Sequence, residues 1–120
     1  MASSESGAEV VSTRTRGSSG KSRLAKSPEQ RSKQAQRTSI LLKHASDATR
    51  LQIVALLAEG ERHVGDLSET LNQSQPAVSH HLALMRHGGI VVSRRQGKNN
   101  YYSLSESGER LAQVVQSLLV

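Results

Sequence analysis

Apolar residues are sparse as far as Ser39 and then recur at helical spacing, interrupted between residues 90 and 104 by two β-compatible runs. Ser27 precedes Pro28, with Gln30 three residues on, a capping hydroxyl followed by Pro at the first helical position. A helix over residues 28 to 45 is predicted, polar in its first half and apolar at Ile40, Leu41 and Leu42, so that only its later turns can pack. Asp47 caps a second helix with a broad buried stripe of Leu51, Ile53, Val54, Leu56 and Leu57, ended by Gly60, and Arg50 on its other side. Glu61 to Val64 reads as a short extended connection. Gly65 and Asp66 then introduce a short third helix carrying Leu67 and Leu71 at a spacing of four. After a tight turn at Asn72 and Gln73, Ser74 caps a fourth helix that tolerates Pro76 in its first turn and runs to the Gly88-Gly89 stop.

Two helices joined by so short a turn make a helix-turn-helix. On the fourth helix Val78, Leu82 and Met85 face inward, while Gln75, Ser79, His80, Ala83 and Arg86 project the other way. That outward face suits base edges: Gln pairs with adenine, Ser donates or accepts, His donates to guanine or phosphate, and Ala admits a thymine methyl. The first-turn amides near Ser74 and Gln75 suit a phosphate. On these residues alone an ordinary amphipathic helix with a solvated face is an equal reading. The runs Ile90 to Gln96 and Asn99 to Leu104 change the balance, because Gly97-Lys98 between them fits a type II′ hairpin turn. That turn pairs Ser93 with Tyr102 and Val91 with Leu104, turns Val91, Tyr102 and Leu104 inward, and gathers Arg94, Arg95 and Lys98 at the exposed end. A basic hairpin directly after a reading helix is a wing for phosphates or the minor groove. The expected fold is mainly α (α+β), a winged helix-turn-helix with about five helices and a two-stranded hairpin.

Ser105 can cap a last helix with an apolar face of Leu111, Val114, Val115, Leu118 and Leu119. The chain has 120 residues, 35% of them apolar but only 2% aromatic, with neither Phe nor Trp. Such an interior is small and leaves little area to cover that face, which points to a second copy of the chain. The absence of Cys removes disulfides, thiolate metal sites and Cys nucleophiles together. A net charge of +6 suits a polyanionic partner. Residues 1 to 27, rich in Ser and carrying Arg14, Arg16, Lys21, Arg23 and Lys26 against Glu5 and Glu9, read as a disordered basic tail, either a solvated leader or an arm that tracks DNA. The folded domain is expected over residues 28 to 120. No apolar run approaches the roughly 18 residues that cross a bilayer, and no signal-peptide core is visible, so a cytoplasmic protein without a membrane partner is expected.

The stretch from Leu41 through His44, Asp47 and Arg50 to Leu51, the run from Ser74 to Leu82, and Gly97 through Tyr101 and Tyr102 to Leu104 together resemble the ArsR (arsenic repressor/SmtB) family of bacterial winged helix-turn-helix regulators. The resemblance covers roughly residues 37 to 118; one departure is Ala48, where the family commonly has Pro. It implies a dimer formed through the first and last helices, here presenting Ile40 and Leu41 with Leu111, Val114, Val115, Leu118 and Leu119, that represses promoters until an effector binds. The family's effector sites do not carry over. His63 and Gly65 occupy the two positions of a Cys pair at the start of the third helix, and residues 105 to 120 offer Glu106 and Glu109 but no His or Asp. No metal site and no cofactor are therefore expected, and the effector is not legible. His80, His81 and His87 lie on the DNA-facing helix, and His44 is read as a helix-end residue meeting carbonyls. Ser79 and His80 point about 100° apart on successive helix positions, so no catalytic arrangement is visible and no enzyme is expected. The reading is a homodimeric, sequence-specific regulator of double-stranded operator DNA, with a winged-helix protein-interaction or RNA-binding module as the alternative.

Overall fold

The computed structural model describes residues 24–119. The chain runs through α1 (Pro28–Ala45), α2 (Ala48–Glu59), β1 (Arg62–His63), α3 (Val64–Leu71), α4 (Gln75–His87), β2 (Val91–Gln96), β3 (Asn99–Leu104) and α5 (Glu106–Leu118). Two units are distinguished, one whose described residues are 24–35 and one whose described residues are 36–119. In the described part of the first, Ser27 caps α1 as expected: its hydroxyl accepts the Gln30 amide at 3.2 Å and its carbonyl accepts the Arg31 amide at 2.8 Å. Of the tail expected over 1 to 27, residues 1–23 lie outside the described residues.

The second unit is built on a core of Ile53, Val54 and Leu57 from α2, Leu67 from α3, Val78, Leu82 and Met85 from α4, Ile90 and Val91 at the start of β2, and Leu111 from α5. The α2 stripe is narrower than expected, since Leu51 and Leu56 are only half-buried. Asp47 caps α2 through the Arg50 amide at 2.9 Å. Gly60 ends it, donating its N–H to the Leu57 carbonyl at 3.1 Å.

The hairpin has the anticipated register, Val91 opposite Leu104 and Ser93 opposite Tyr102. Its turn has Gly97 at φ 64° followed by a Lys98 of negative φ, the combination of a type II′ turn, which only Gly enters without strain at the first position. The sheet itself is a correction, for it has three strands in the order β1-β3-β2 and not two. Arg62 and His63 pair with Tyr102 and Tyr101 on the free edge of β3. A two-residue strand has no alternation to read, so the expected extended connection gave no sign of its partner.

Two further expectations change. Leu111, assigned above to an interface between copies, lies in the chain's own core, 4% exposed. The cause is Gly108 one turn earlier, where a Cβ would overlap the Ile90 carbonyl, so that α5 seats tightly against the start of β2. Ser105 reinforces the seat, donating its N–H to that carbonyl at 2.9 Å while its hydroxyl caps Gly108 at 3.1 Å. His44 is buried and meets a guanidinium in place of carbonyls, its Nδ1 lying 3.2 Å from Arg50 Nη1. Arg50 accordingly does not point away from the packed side of α2.

Candidate nucleic-acid interface

α3 and α4 are held at a fixed turn. Asn72 takes the left-handed conformation at φ 56°, which Asn tolerates better than most residues, and Gln73 Nε2 donates to Thr49 Oγ1 at 3.1 Å, tying the turn to α2. The Ser74 hydroxyl then accepts the Ala77 amide at 3.2 Å and opens α4, with Pro76 in the first turn where its missing N–H costs nothing.

With Val78, Leu82 and Met85 fully buried, the opposite side of α4 is fixed outward: Ser74, Gln75, Ser79, His80, Ala83 and Arg86 are all exposed. Ala83 leaves a gap between longer neighbours, so that face allows close approach. Arg86 is not wholly free, because its Nη1 donates to Ser93 Oγ at 2.9 Å and links the far end of α4 to the hairpin.

The three basic residues of the hairpin differ in what they do. Arg94 donates from Nε and Nη2 to the two carboxylate oxygens of Glu61 at 2.8 and 2.7 Å and from Nη1 to Gln96 Oε1 at 2.7 Å, and its guanidinium lies 5.0 Å over the Tyr101 ring. That hydrogen bond from Arg94 holds the Glu61 carboxyl below the usual carboxylate range and raises the guanidinium in turn. Arg95 donates from Nε to the Gly97 carbonyl at 3.2 Å and makes no ion pair among the described residues. The Lys98 ammonium has no ion pair or hydrogen bond among the described residues.

Beside the start of α4 lies a groove of about 300 Å³ lined by His63, Gln75, Ser79, Lys98, Asn99 and Asn100, among others. It joins three segments, and sequence reasoning missed His63, Asn99 and Asn100 as parts of it. His63 is the cap of α3, its Nδ1 accepting the Asp66 amide at 3.3 Å.

A second polar group supports α4 from behind. The Asp47 carboxylate lies 3.7 Å from Arg50 Nε and 3.9 Å from His81 Nδ1. Its pKa is lowered mainly by the Arg50 backbone amide, with the Arg50 and His81 charges adding to the effect. Among the described residues no group of three or more His, Asp or Glu could hold a metal ion.

Large apolar residues are exposed on several elements, among them Leu84 on α4 and Val92 on β2. Ile40 and Leu42 on α1, Val114 and Leu118 on α5, and Leu119 at its C-cap are exposed, Leu118 by 77% and Leu119 by 82%. Leu41 and Val115 are instead partly buried against the core. No helix among the described residues is long and apolar enough to cross a membrane.

Residues 47–93 match the model of the family described as bacterial regulatory protein, arsR family. The arsenical resistance operon repressor of Escherichia coli is 53% identical over 66 residues, 54% of this chain and 56% of that protein. A biofilm growth-associated repressor of Agrobacterium fabrum is 37% identical over 86 residues, 72% of each chain. Among solved structures, the homodimeric winged helix-turn-helix DNA-binding domain of Mb0332 from Mycobacterium bovis, a possible ArsR-family transcriptional regulator, superposes with a TM-score of 0.69 at 29% identity, covering 80% of this chain and 90% of that one.

Proposed function

Because the chain belongs to the ArsR family of bacterial regulatory proteins, we propose that it is a homodimeric transcriptional repressor that reads operator DNA with α4. The single observation that carries this reading is the outward face of α4, where Gln75, Ser79, His80 and Ala83 stand exposed opposite a fully buried Val78, Leu82 and Met85. A helix anchored this firmly presents its polar face at fixed angles, which base reading requires. Ser74 and Arg86 bracket that face, and Arg95 and Lys98 of the hairpin supply charge for backbone phosphates.

The apolar residues left exposed on α1 and α5 support a two-fold pairing of copies, as does the homodimeric Mb0332 domain. Dimerisation sets two α4 helices into successive major-groove faces, about 34 Å apart. The relatives named as repressors support repression. The protein would act in the cytoplasm and would not use thiolate chemistry to sense its effector, since the chain has no Cys. Catalysis forms no part of the reading.

The test is selection of bound genomic fragments by the full chain, followed by titration of the recovered sequence and a scrambled duplex at fixed salt. A palindromic motif bound at least about 1,000-fold more tightly than the scrambled duplex supports the assignment. Equal binding to all duplexes, or preference for RNA, would replace it with the interaction-module reading.

A further inference from the structure

The groove between the start of α3, the start of α4 and the hairpin tip has an unusual chemical balance. The side chains of Gln75, Ser79, Lys98, Asn99 and Asn100 make no hydrogen bond or ion pair among the described residues, and these five residues border one space of about 300 Å³. His63 adds a sixth group. Its Nδ1 accepts the Asp66 amide at 3.3 Å, which leaves the N–H of the neutral ring on Nε2, without a partner among the described residues. Among the described residues no carboxylate lines the groove. Of those on the flanking segments, Glu59 and Asp66 pair with Arg62 at 3.0 and 3.3 Å and Glu61 with Arg94 at 2.7 Å, while Glu69 on α3 does not line the groove. One ammonium and several neutral donors, with no competing anion, make a receptor for an anion carrying several oxygens and about one negative charge.

We propose that this groove is a phosphate site that seats one phosphodiester of the DNA backbone, Lys98 supplying the charge and His63, Asn99 and Asn100 donating hydrogen bonds to its non-bridging oxygens. The proposal rests on the DNA-reading assignment of α4 and adds to it three contacts, one of them in β1. The backbone is the source favoured by position, because Gln75 and Ser79 belong both to the reading face and to the groove wall. A helix that presents its first turns to base edges carries this wall alongside the strand it reads. The phosphate would fix the register of α4, since the groove is bounded by the hairpin on one side and α3 on the other.

The experiment uses the full chain, the duplex recovered by selection and an unrelated duplex. Single methylphosphonate substitutions, placed one at a time, remove the charge of individual phosphates. Lys98→Ala and His63→Asn are compared with wild type; Asn keeps the cap of α3 while withdrawing the imidazole N–H. One methylphosphonate position per half-site is expected to weaken wild type about tenfold, to leave Lys98→Ala nearly unaffected and to weaken His63→Asn by less than wild type. His63→Asn should bind both duplexes about two- to tenfold more weakly without a change in base preference, and Lys98→Ala should lower the salt slope by about 0.9. If both variants follow wild type at every methylphosphonate position while Gln75→Ala still shifts base preference, the groove assignment is overturned and the reading by α4 stands. If wild type itself shows no base preference, the reading fails and the proposal falls with it. A last arm replaces chloride by inorganic phosphate at matched ionic strength. Displacement of DNA that depends on Lys98, without any coupled methylphosphonate position, would assign the groove to a free anion and overturn its assignment to the backbone.

Discussion

Arg94 holds both carboxylate oxygens of Glu61, 33 residues away in sequence, at 2.8 and 2.7 Å. This pair fastens the hairpin to the segment between α2 and α3, and it takes out of play a cation that the hairpin pattern offers to DNA. Lys98, two residues beyond the end of β2, has no such partner.

The two residues should therefore separate in a salt titration. Lys98→Ala is expected to lower the slope of log K against log salt by about 0.9, the value for one lost phosphate contact. Arg94→Ala should change the slope by less than half of that and should lower the melting temperature instead. The lowered carboxyl of Glu61 adds a signature in acid: its contribution is present above the ordinary carboxylate pKa and is lost as pH falls through the folded-state value, so the melting difference between wild type and Arg94→Ala should shrink there. A full unit of slope lost in Arg94→Ala would place its guanidinium on the DNA.

Gln75 and Ser79 stand one turn apart on the exposed face of α4. Replacing either with Ala is expected to cost about 1–3 kcal/mol in operator binding and to relax preference at one base pair, with little effect on unrelated duplexes. Binding constants for a set of single-base operator variants read this directly. A preference profile in Gln75→Ala identical to that of wild type would remove Gln75 from base reading.

His44 joins the end of α1 to Arg50 on α2. Because arginine only donates, Nδ1 of His44 must accept, which requires the neutral ring. Burial, then the charges of Arg50 and Lys43, lower its pKa from the ordinary value. The unfolded chain takes up this proton first on acidification, so the contribution is complete above about pH 6.5 and is lost as pH falls through the lowered value. Melting temperature should drop between pH 7.5 and 5.5 in wild type and drop less in His44→Gln, which keeps an acceptor for Arg50 but does not titrate. An equal drop in both would assign the pH dependence to other groups.

What was legible in the sequence follows a physical division. Local chemistry was legible: Ser27, Asp47, Ser74 and Ser105 each cap the helix expected of them, and Gly97-Lys98 fixes the hairpin register because a two-residue turn leaves no freedom. The face of α4 was legible because its three inward residues are large and regularly spaced. Partnerships between distant segments were not. Nothing near Arg94 announces Glu61, nothing in Arg62-His63 announces the edge of β3, and the groove at His63 exists only where three segments meet. Apolar periodicity on α5 does not tell the chain's own core from a partner's: it places Leu111 and Leu118 on one face although one is buried and the other open.

That distinction decides the assembly experiment. Leu118, about three quarters exposed, touches too little of its own chain for a substitution there to disturb the core, whereas Leu111 would unfold it. Leu118→Glu is therefore expected to leave the melting of the monomer fold intact while weakening self-association by about 100-fold or more, because an unpaired carboxylate in an apolar seam costs several kcal/mol. Operator affinity should fall with it, since one subunit makes only half of the contacts across a palindrome. Zinc, cadmium or arsenite should change neither the dimer nor the complex, because the chain has no thiolate and α5 carries no imidazole. Sedimentation of wild type and Leu118→Glu, followed by titration of operator with and without metal, measures both. A wild type that sediments as a monomer yet binds the palindrome tightly would refute the two-fold pairing, and release of DNA at a stoichiometric metal concentration would reveal a ligand set that His63 and its neighbours complete in some other way.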